Sequence, residues 1–186
     1  MSGVLESVSS GRQRDDRVSL GYSKARVEVV ILVRHAHAGD KAHWRQDDAL
    51  RPLSAWGLAQ AESLIGSLAE DDISVVWSSP AVRCRQTVEP LAAVRGVSVQ
   101  DHQLLAKDAP VGALLDWVLA HRSAPWVLCT HGEVFEVLLD TARSSGLVTA
   151  LVIETEKGAA WRVKRHESGA TDLQYMPPFD RRRAAR

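Results

Sequence analysis

The sequence predicts an α/β protein: a three-layer sandwich around a mainly parallel sheet, with a C-terminal hairpin. Three observations carry that expectation. Short apolar stretches alternate with longer amphipathic ones, strand then helix, four times over before two last strand-like segments. The first strand, Val29 to Val33, is an unbroken aliphatic run, the pattern of a strand buried on both faces. That run stops at Arg34-His35, just beyond a strand's carboxyl end, where open α/β sheets bind their ligands.

A chain of 186 residues is long enough for one domain with a substantial core. We place that domain at residues 26–167, between a polar tail over 1–25 and a second tail over 168–186 that ends Arg-rich. Twenty-three basic residues balance 23 acidic ones, which argues against nucleic acid or a membrane as the main partner. No run of 18 apolar residues exists to span a bilayer, and the N-terminus lacks the apolar centre of a signal peptide. A cytoplasmic location is therefore expected, with Cys84 and Cys129 as reduced, small buried hydrophobes. Nothing in the pattern specifies an oligomeric state.

Taken in order, the first strand is followed by a long polar segment from Ala38 to Pro52, of the length usually reserved for function. A helix capped by Ser54 then runs to about Glu70, with Leu58, Ala61, Ile65 and Leu68 as its buried face. Ile73 to Trp77 reads as a second strand. Ser79-Pro80 signals the next helix, which carries Arg83 early and ends near Gly96. Val97 to Val99 is a short third strand. Pro110 opens a helix with Val111, Leu114, Leu115, Val118 and Leu119 on one face. Trp126 to Cys129 is a fourth strand, and a helix follows over Glu133 to Arg143. Leu147 to Glu154 and Ala159 to Arg165 form the hairpin, turning at Lys157-Gly158.

Reactive residues cluster at three strand-to-helix junctions: Arg34-His35, Arg83 and Thr130-His131-Gly132. A parallel sheet brings all three to one edge. Two guanidinium groups, two imidazoles and the N–H groups of helix starts make a pocket suited to a tetrahedral dianion.

The order LVRHA, RPLSAWGLAQAESL, SSPAVRCRQT and CTHGE resembles the histidine phosphatase superfamily, from about Val29 to Glu133. The spacing of Asp48, Arg51, Pro52, Leu53, Ser54 and Gly57 is most similar to its small phosphohistidine-phosphatase branch. It is also similar to the phosphatase domain that follows a Nudix domain in some actinobacterial proteins. The resemblance implies a nucleophilic His35, with Arg34, Arg83, His131 and Gly132 binding the phosphoryl group. It also implies no metal and no cofactor. The substrate would be a phosphoprotein, a nucleotide or a small phosphorylated metabolite. Where many members carry a Glu as proton donor, this chain reads Leu105-Ala106-Lys107, so Asp108 is the candidate acid.

Several neighbours have plainer readings. Arg51 is expected to bridge to Asp47 or Asp48, and Arg85 to pair with Glu89 on the surface. Lys41, His43 and Trp44 either line the entrance or sit solvated in the long loop. Two other functions compete. His35 and His37, with Asp40, His43 or His131, could bind a hydrolytic metal, although the two arginines would repel a divalent cation. The same fold could also serve as a non-catalytic phosphate-binding module.

Overall fold

The computed structural model describes residues 28–120, 125–146, 154–166 and 171–179. In chain order it contains β1 (Glu28–Arg34), α1 (Ala55–Ser67), β2 (Val75–Ser78), α2 (Val82–Arg95) and β3 (Val99–Asp101). Then come α3 (Val111–Ala120), β4 (Trp126–Thr130), α4 (Gly132–Ser144), β5 (Ala160–Arg165) and β6 (Thr171–Met176). The six strands form one sheet in the order β3-β2-β4-β1-β5-β6. The first four are mutually parallel, while β5 and β6 join antiparallel at the β1 edge. This is the expected α/β sandwich.

The side-chain alternation along each strand divides the interior into two layers. Ile31 and Val33 of β1, Val76 of β2 and Val127 and Cys129 of β4 face α1 and α2, against Leu64, Leu68, Val88 and Leu91. Leu32, Trp126 and Leu128 face the other way, against Leu114 of α3 and Phe135, Leu138 and Leu139 of α4. Each fully buried side chain of this size contributes about 1.5–3 kcal/mol of transfer free energy. A sheet covered on both faces explains why β1 and β4 read as continuous apolar runs. Among the described residues, no helix is long and apolar enough to cross a membrane.

Two expectations change. The hairpin partner of β5 is Thr171–Met176, inside the stretch expected to be a tail, so the sheet continues beyond residue 167. Leu173 and Tyr175 alternate with Asp172 and Gln174 there, the period of a half-buried edge strand, next to a charged terminus that obscures it. The strand expected over Leu147 to Glu154 lies outside the described residues apart from Glu154, and residues 1–25 lie outside them entirely.

The second change is part of the face that α1 buries: Ala61 and Leu68 are buried as expected, whereas Leu58 and Ile65 are not fully buried. Gly57, Gln60, Ala61 and Leu64 point inward, while Leu58 is 49% exposed and Ile65 is half-buried. Gly57 sets this rotation. A Cβ there would lie 2.0 Å from the carbonyl oxygen of His37, so the helix rests directly on the chain leaving β1. Ser54 caps the helix by accepting from the Gly57 N–H at 3.1 Å, and its own N–H donates to the His37 carbonyl at 2.9 Å. The RPLS-x-x-G spacing is therefore a clamp on the segment that carries His35.

Because the clash at Gly57 is with backbone, it cannot be relieved by a side-chain rotation. Gly57→Ala should destabilise the protein by about 1–3 kcal/mol in denaturant unfolding. Unchanged stability would show that α1 is free to move away from the His37 carbonyl.

Candidate active site

Three junctions converge beyond the carboxyl ends of β1, β2 and β4. They border a cavity of about 340 Å³ lined by Arg34, His35, Asp48, Arg51, Arg83 and His131, with Lys41, Lys107, Glu133 and Lys157 also contributing. Its size falls in the range of about 300–1,000 Å³ usual for small-molecule sites.

His35 is held by main-chain bonds on both sides. Its N–H donates to the Thr130 carbonyl at 3.0 Å, and its carbonyl accepts from Gly158 at 3.2 Å. The next N–H, of Ala36, donates to Thr87 Oγ1 at 2.9 Å, tying the segment to α2. The ring Nδ1 lies 2.8 Å from the Ala36 carbonyl. A carbonyl only accepts, so Nδ1 carries the hydrogen and the lone pair is on Nε2. Burial, reinforced by the charges of Arg83, His131 and Arg34 and opposed by the Ala36 hydrogen bond, lowers the His35 pKa to about 3. The imidazole is therefore neutral at pH 7, with Nε2 able to act as a nucleophile or base.

His131 is also buried and faces His35 edge-on, with ring centroids 5.5 Å apart and planes at 68°. Its Nδ1 lies 3.2 Å from Arg83 NH2, which only donates, so Nδ1 carries a lone pair. Nε2 therefore holds the hydrogen and donates to Ser79 Oγ at 2.9 Å. Ser79 was not a candidate in the sequence. Its place at the end of β2, in the same SSPAVR stretch as Arg83, was the available signal.

The two arginines are placed by different devices. Arg34 lies against Gly132 at the start of α4, where a Cβ would sit 2.5 Å from its guanidinium carbon. Its NH1 donates to the Thr155 carbonyl. Gly132 is thus required for the position of Arg34. Arg83, at the start of α2, donates from NH1 to the Asp48 carbonyl at 2.5 Å and from NH2 to Asp48 Oδ2 at 3.1 Å. The Nε atoms of both arginines are buried donors with no partner among the described residues, so each keeps hydrogen-bonding capacity for an anion.

Asp48 is the organiser that the sequence left ambiguous. It also accepts from Arg51 Nε at 2.8 Å, while Arg51 NH1 donates to the Ala38 carbonyl at 2.7 Å. Burial opposes its ionisation, but the Arg51 hydrogen bond and the charges of Arg83, Arg51 and Lys41 outweigh it and keep the carboxyl below the usual range. Arg51 has the structural bridge expected of it, and it lines the cavity as well. Arg85 pairs on the surface with Glu89 and Asp101.

The proton-donor position comes out differently. Asp108 is exposed and is not among the residues lining the cavity; its neighbour Lys107 is. Thr130 Oγ1 donates to the Leu105 carbonyl at 2.8 Å, tying this segment to the end of β4. Lys107 pairs at 3.6 Å with Glu133, in the first turn of α4. The Glu133 carboxyl is held below its usual range by its own backbone N–H, against burial, with help from Lys107, His131 and Arg34. The carboxylate at this wall of the cavity is therefore an anion near neutral pH, not an acid.

The alternative metal set does not assemble. His37 Nδ1 lies 2.7 Å from Ser54 Oγ at the α1 cap, and exposed His43 pairs with Asp40. Among the described residues, no three His, Cys, Asp or Glu side chains are grouped to hold a metal ion. Trp44 donates to the Asp47 carbonyl at 2.9 Å and, like His43, does not line the cavity. Cys84 and Cys129 are fully buried, with Cys84 Sγ 3.7 Å from His131 Nε2.

Comparison with known proteins gives the chain's family and fold relations. The family model of the histidine phosphatase superfamily (branch 1) matches residues 30–107. An uncharacterised protein of Picosynechococcus sp. is 32% identical over 162 residues, covering 81% of this chain and 97% of that protein. The 8-oxo-(d)GTP phosphatase of Mycolicibacterium smegmatis is 29% identical over 160 residues, 82% of this chain and 49% of that one. The chain thus spans about half the length of that curated relative. In fold it is similar to the protein histidine phosphatase SixA complexed with tungstate, with a TM-score of 0.64 and 21% identity, over 82% of this chain and 96% of that one. With a matching family model, a relative aligned over nearly its whole length and the paired junctions at one sheet edge, the chain belongs to the histidine phosphatase superfamily.

Proposed function

We propose that this protein is a phosphatase that needs no metal and works through transient phosphorylation of His35. The observation that carries the reading is a buried imidazole whose Nδ1 is committed to the Ala36 carbonyl, which puts the lone pair on Nε2 in a cavity also lined by Arg34 and Arg83. A binding module needs the arginines but not that lone pair.

In the proposed reaction, Nε2 of His35 attacks phosphorus, forming the P–N bond as the bond to the leaving group breaks. The leaving group takes that electron pair. Arg34 and Arg83 neutralise the equatorial oxygens, a contribution that fixed charges make without reorganisation. His131 lines the same cavity edge-on to His35 and sets a second imidazole beside the phosphoryl group. Water then attacks the phosphohistidine, the P–N pair returns to Nε2, and inorganic phosphate departs.

Leaving-group chemistry narrows the substrate. With Glu133 ionised and Lys107 beside it, the cavity suits leaving groups that depart without a strong proton donor. Phosphoramidates such as phosphohistidine, and phosphoanhydrides, meet that condition better than alkyl esters. Both have a counterpart among relatives named as a protein histidine phosphatase and as an 8-oxo-(d)GTP phosphatase.

The direct test is a panel containing phosphohistidine peptides, nucleoside diphosphates and triphosphates, and sugar phosphates. Turnover in the presence of a chelator, lost by at least about a thousandfold in His35→Ala, is expected. Phosphate binding with no turnover of any substrate by the wild type would favour the binding module. A second test concerns Gly132. Gly132→Ala should fold, because the nearest atoms its Cβ would meet are the side-chain end of Arg34, yet should weaken inhibition by vanadate by about tenfold. Undiminished inhibition would mean that Arg34 does not hold the phosphoryl group.

A further inference from the structure

The cavity carries more positive charge than one phosphoryl group requires. Six cationic side chains line it, Arg34, Lys41, Arg51, Arg83, Lys107 and Lys157, against the carboxylates of Asp40, Asp48 and Glu133. Those carboxylates are already engaged: Asp48 with Arg51 and Arg83, Glu133 with Lys107, and Asp40 with His43. Lys41 adds to the field at Asp48, but neither it nor Lys157 forms a direct ion pair among the described residues.

Neither lysine belongs to a loosely held backbone. Lys157 has its carbonyl bound by Gln60 Nε2 at 3.0 Å, and the next residue, Gly158, donates to the carbonyls of Arg34 and His35 at 3.2 Å. Its main chain is thus pinned beside the nucleophile's own. Lys41 opens a short 3-10 turn capped by Asp40, whose Oδ1 accepts from Ala42 at 2.8 Å. Both side chains are exposed, and both line the same cavity as the buried pair His35 and His131. Arg34 and Arg83, half-buried and buried, and the exposed Lys41 and Lys157 thus border one cavity from four separate segments.

We propose that Lys41 and Lys157 form a second anion subsite at the mouth of the cavity. It takes the phosphate adjoining the one transferred, so the substrate class is a phosphoanhydride, a compound ending in a diphosphate. This rests on the phosphatase reading above. Nε2 of His35 attacks the terminal phosphorus and the bridging P–O bond breaks. Its electron pair stays on the bridging oxygen, which leaves as part of a phosphate monoester held by Lys41 and Lys157. Water then splits the P–N bond, supplying the hydroxyl to inorganic phosphate and its remaining proton to solvent. No general acid is needed, because the departing phosphate is stabilised by the two ammonium groups as charge develops.

Calorimetric titration of the whole chain with inorganic phosphate and with pyrophosphate tests the subsite without relying on turnover. The wild type should bind pyrophosphate at least about tenfold more tightly than phosphate. The double variant Lys41→Gln/Lys157→Gln should bring that ratio to within about threefold, with a much smaller change for phosphate itself, and Lys→Arg at both positions should retain it. Both lysines are exposed, so the variants should fold, as a thermal scan will show. A wild type with no preference for pyrophosphate overturns the proposal while leaving the phosphatase reading intact. Equal losses for both ligands in the double variant overturn it too, reducing the lysines to general electrostatic attraction. A wild type that binds neither ligand sinks the phosphatase reading along with the subsite.

Discussion

The 2.8 Å contact between His35 Nδ1 and the Ala36 carbonyl governs what this cavity can do. It fixes the tautomer, and with it the atom that carries the lone pair. A ring tied only to its own neighbour would wander, but the main chain here is gripped at successive residues. Thr130 accepts from His35, Thr87 from Ala36, Gln60 from His37, and Ser54 donates to the His37 carbonyl. These partners come from β4, α2 and α1, so the layers of the sandwich meet at one short segment. Gly57 belongs to the same grip, since only a residue without a side chain lets α1 approach so closely.

Electrostatics follows from that placement. Burial, helped by the nearby guanidinium groups, disfavours a second proton on the imidazole, so Nε2 keeps the lone pair that a nucleophile needs. The arginines would repel one another without an anion between them, and Asp48 serves that purpose for Arg51 and Arg83. One carboxylate therefore keeps two cations apart and aligned while leaving Arg83 Nε unused. Arg34 has no carboxylate ion pair among the described residues; it rests against the bare Cα of Gly132 and donates to the Thr155 carbonyl.

The sequence made the architecture and the inner four side chains legible because both depend on local rules: strand runs, helix caps, and polar residues just past strand ends. What it left open depends on distances between segments. Asp47 and Asp48 are equally plausible partners for Arg51 by spacing, and only the turn over residues 48–50 separates them, directing Asp48 to the arginines and leaving Asp47 as the turn's cap. Lys107 and Asp108 are adjacent, and nothing in their spacing says that it is Lys107 that borders the cavity. The buried face of α1 was legible at Ala61 and Leu68 but not at Leu58, which hydrophobicity favoured and which the close contact at Gly57 turns outward. The last strand carried its alternation in plain view beside a charged terminus.

A covalent intermediate on one named nitrogen is the central claim, and it can be seen directly. Radiolabelled substrate mixed briefly with the enzyme, quenched in alkali and mapped by peptide, should place the label on the peptide containing His35. That label should disappear on acidification, as a phosphoramidate does. Label on any other residue, or steady turnover with none on His35 at any quench time, would contradict the account.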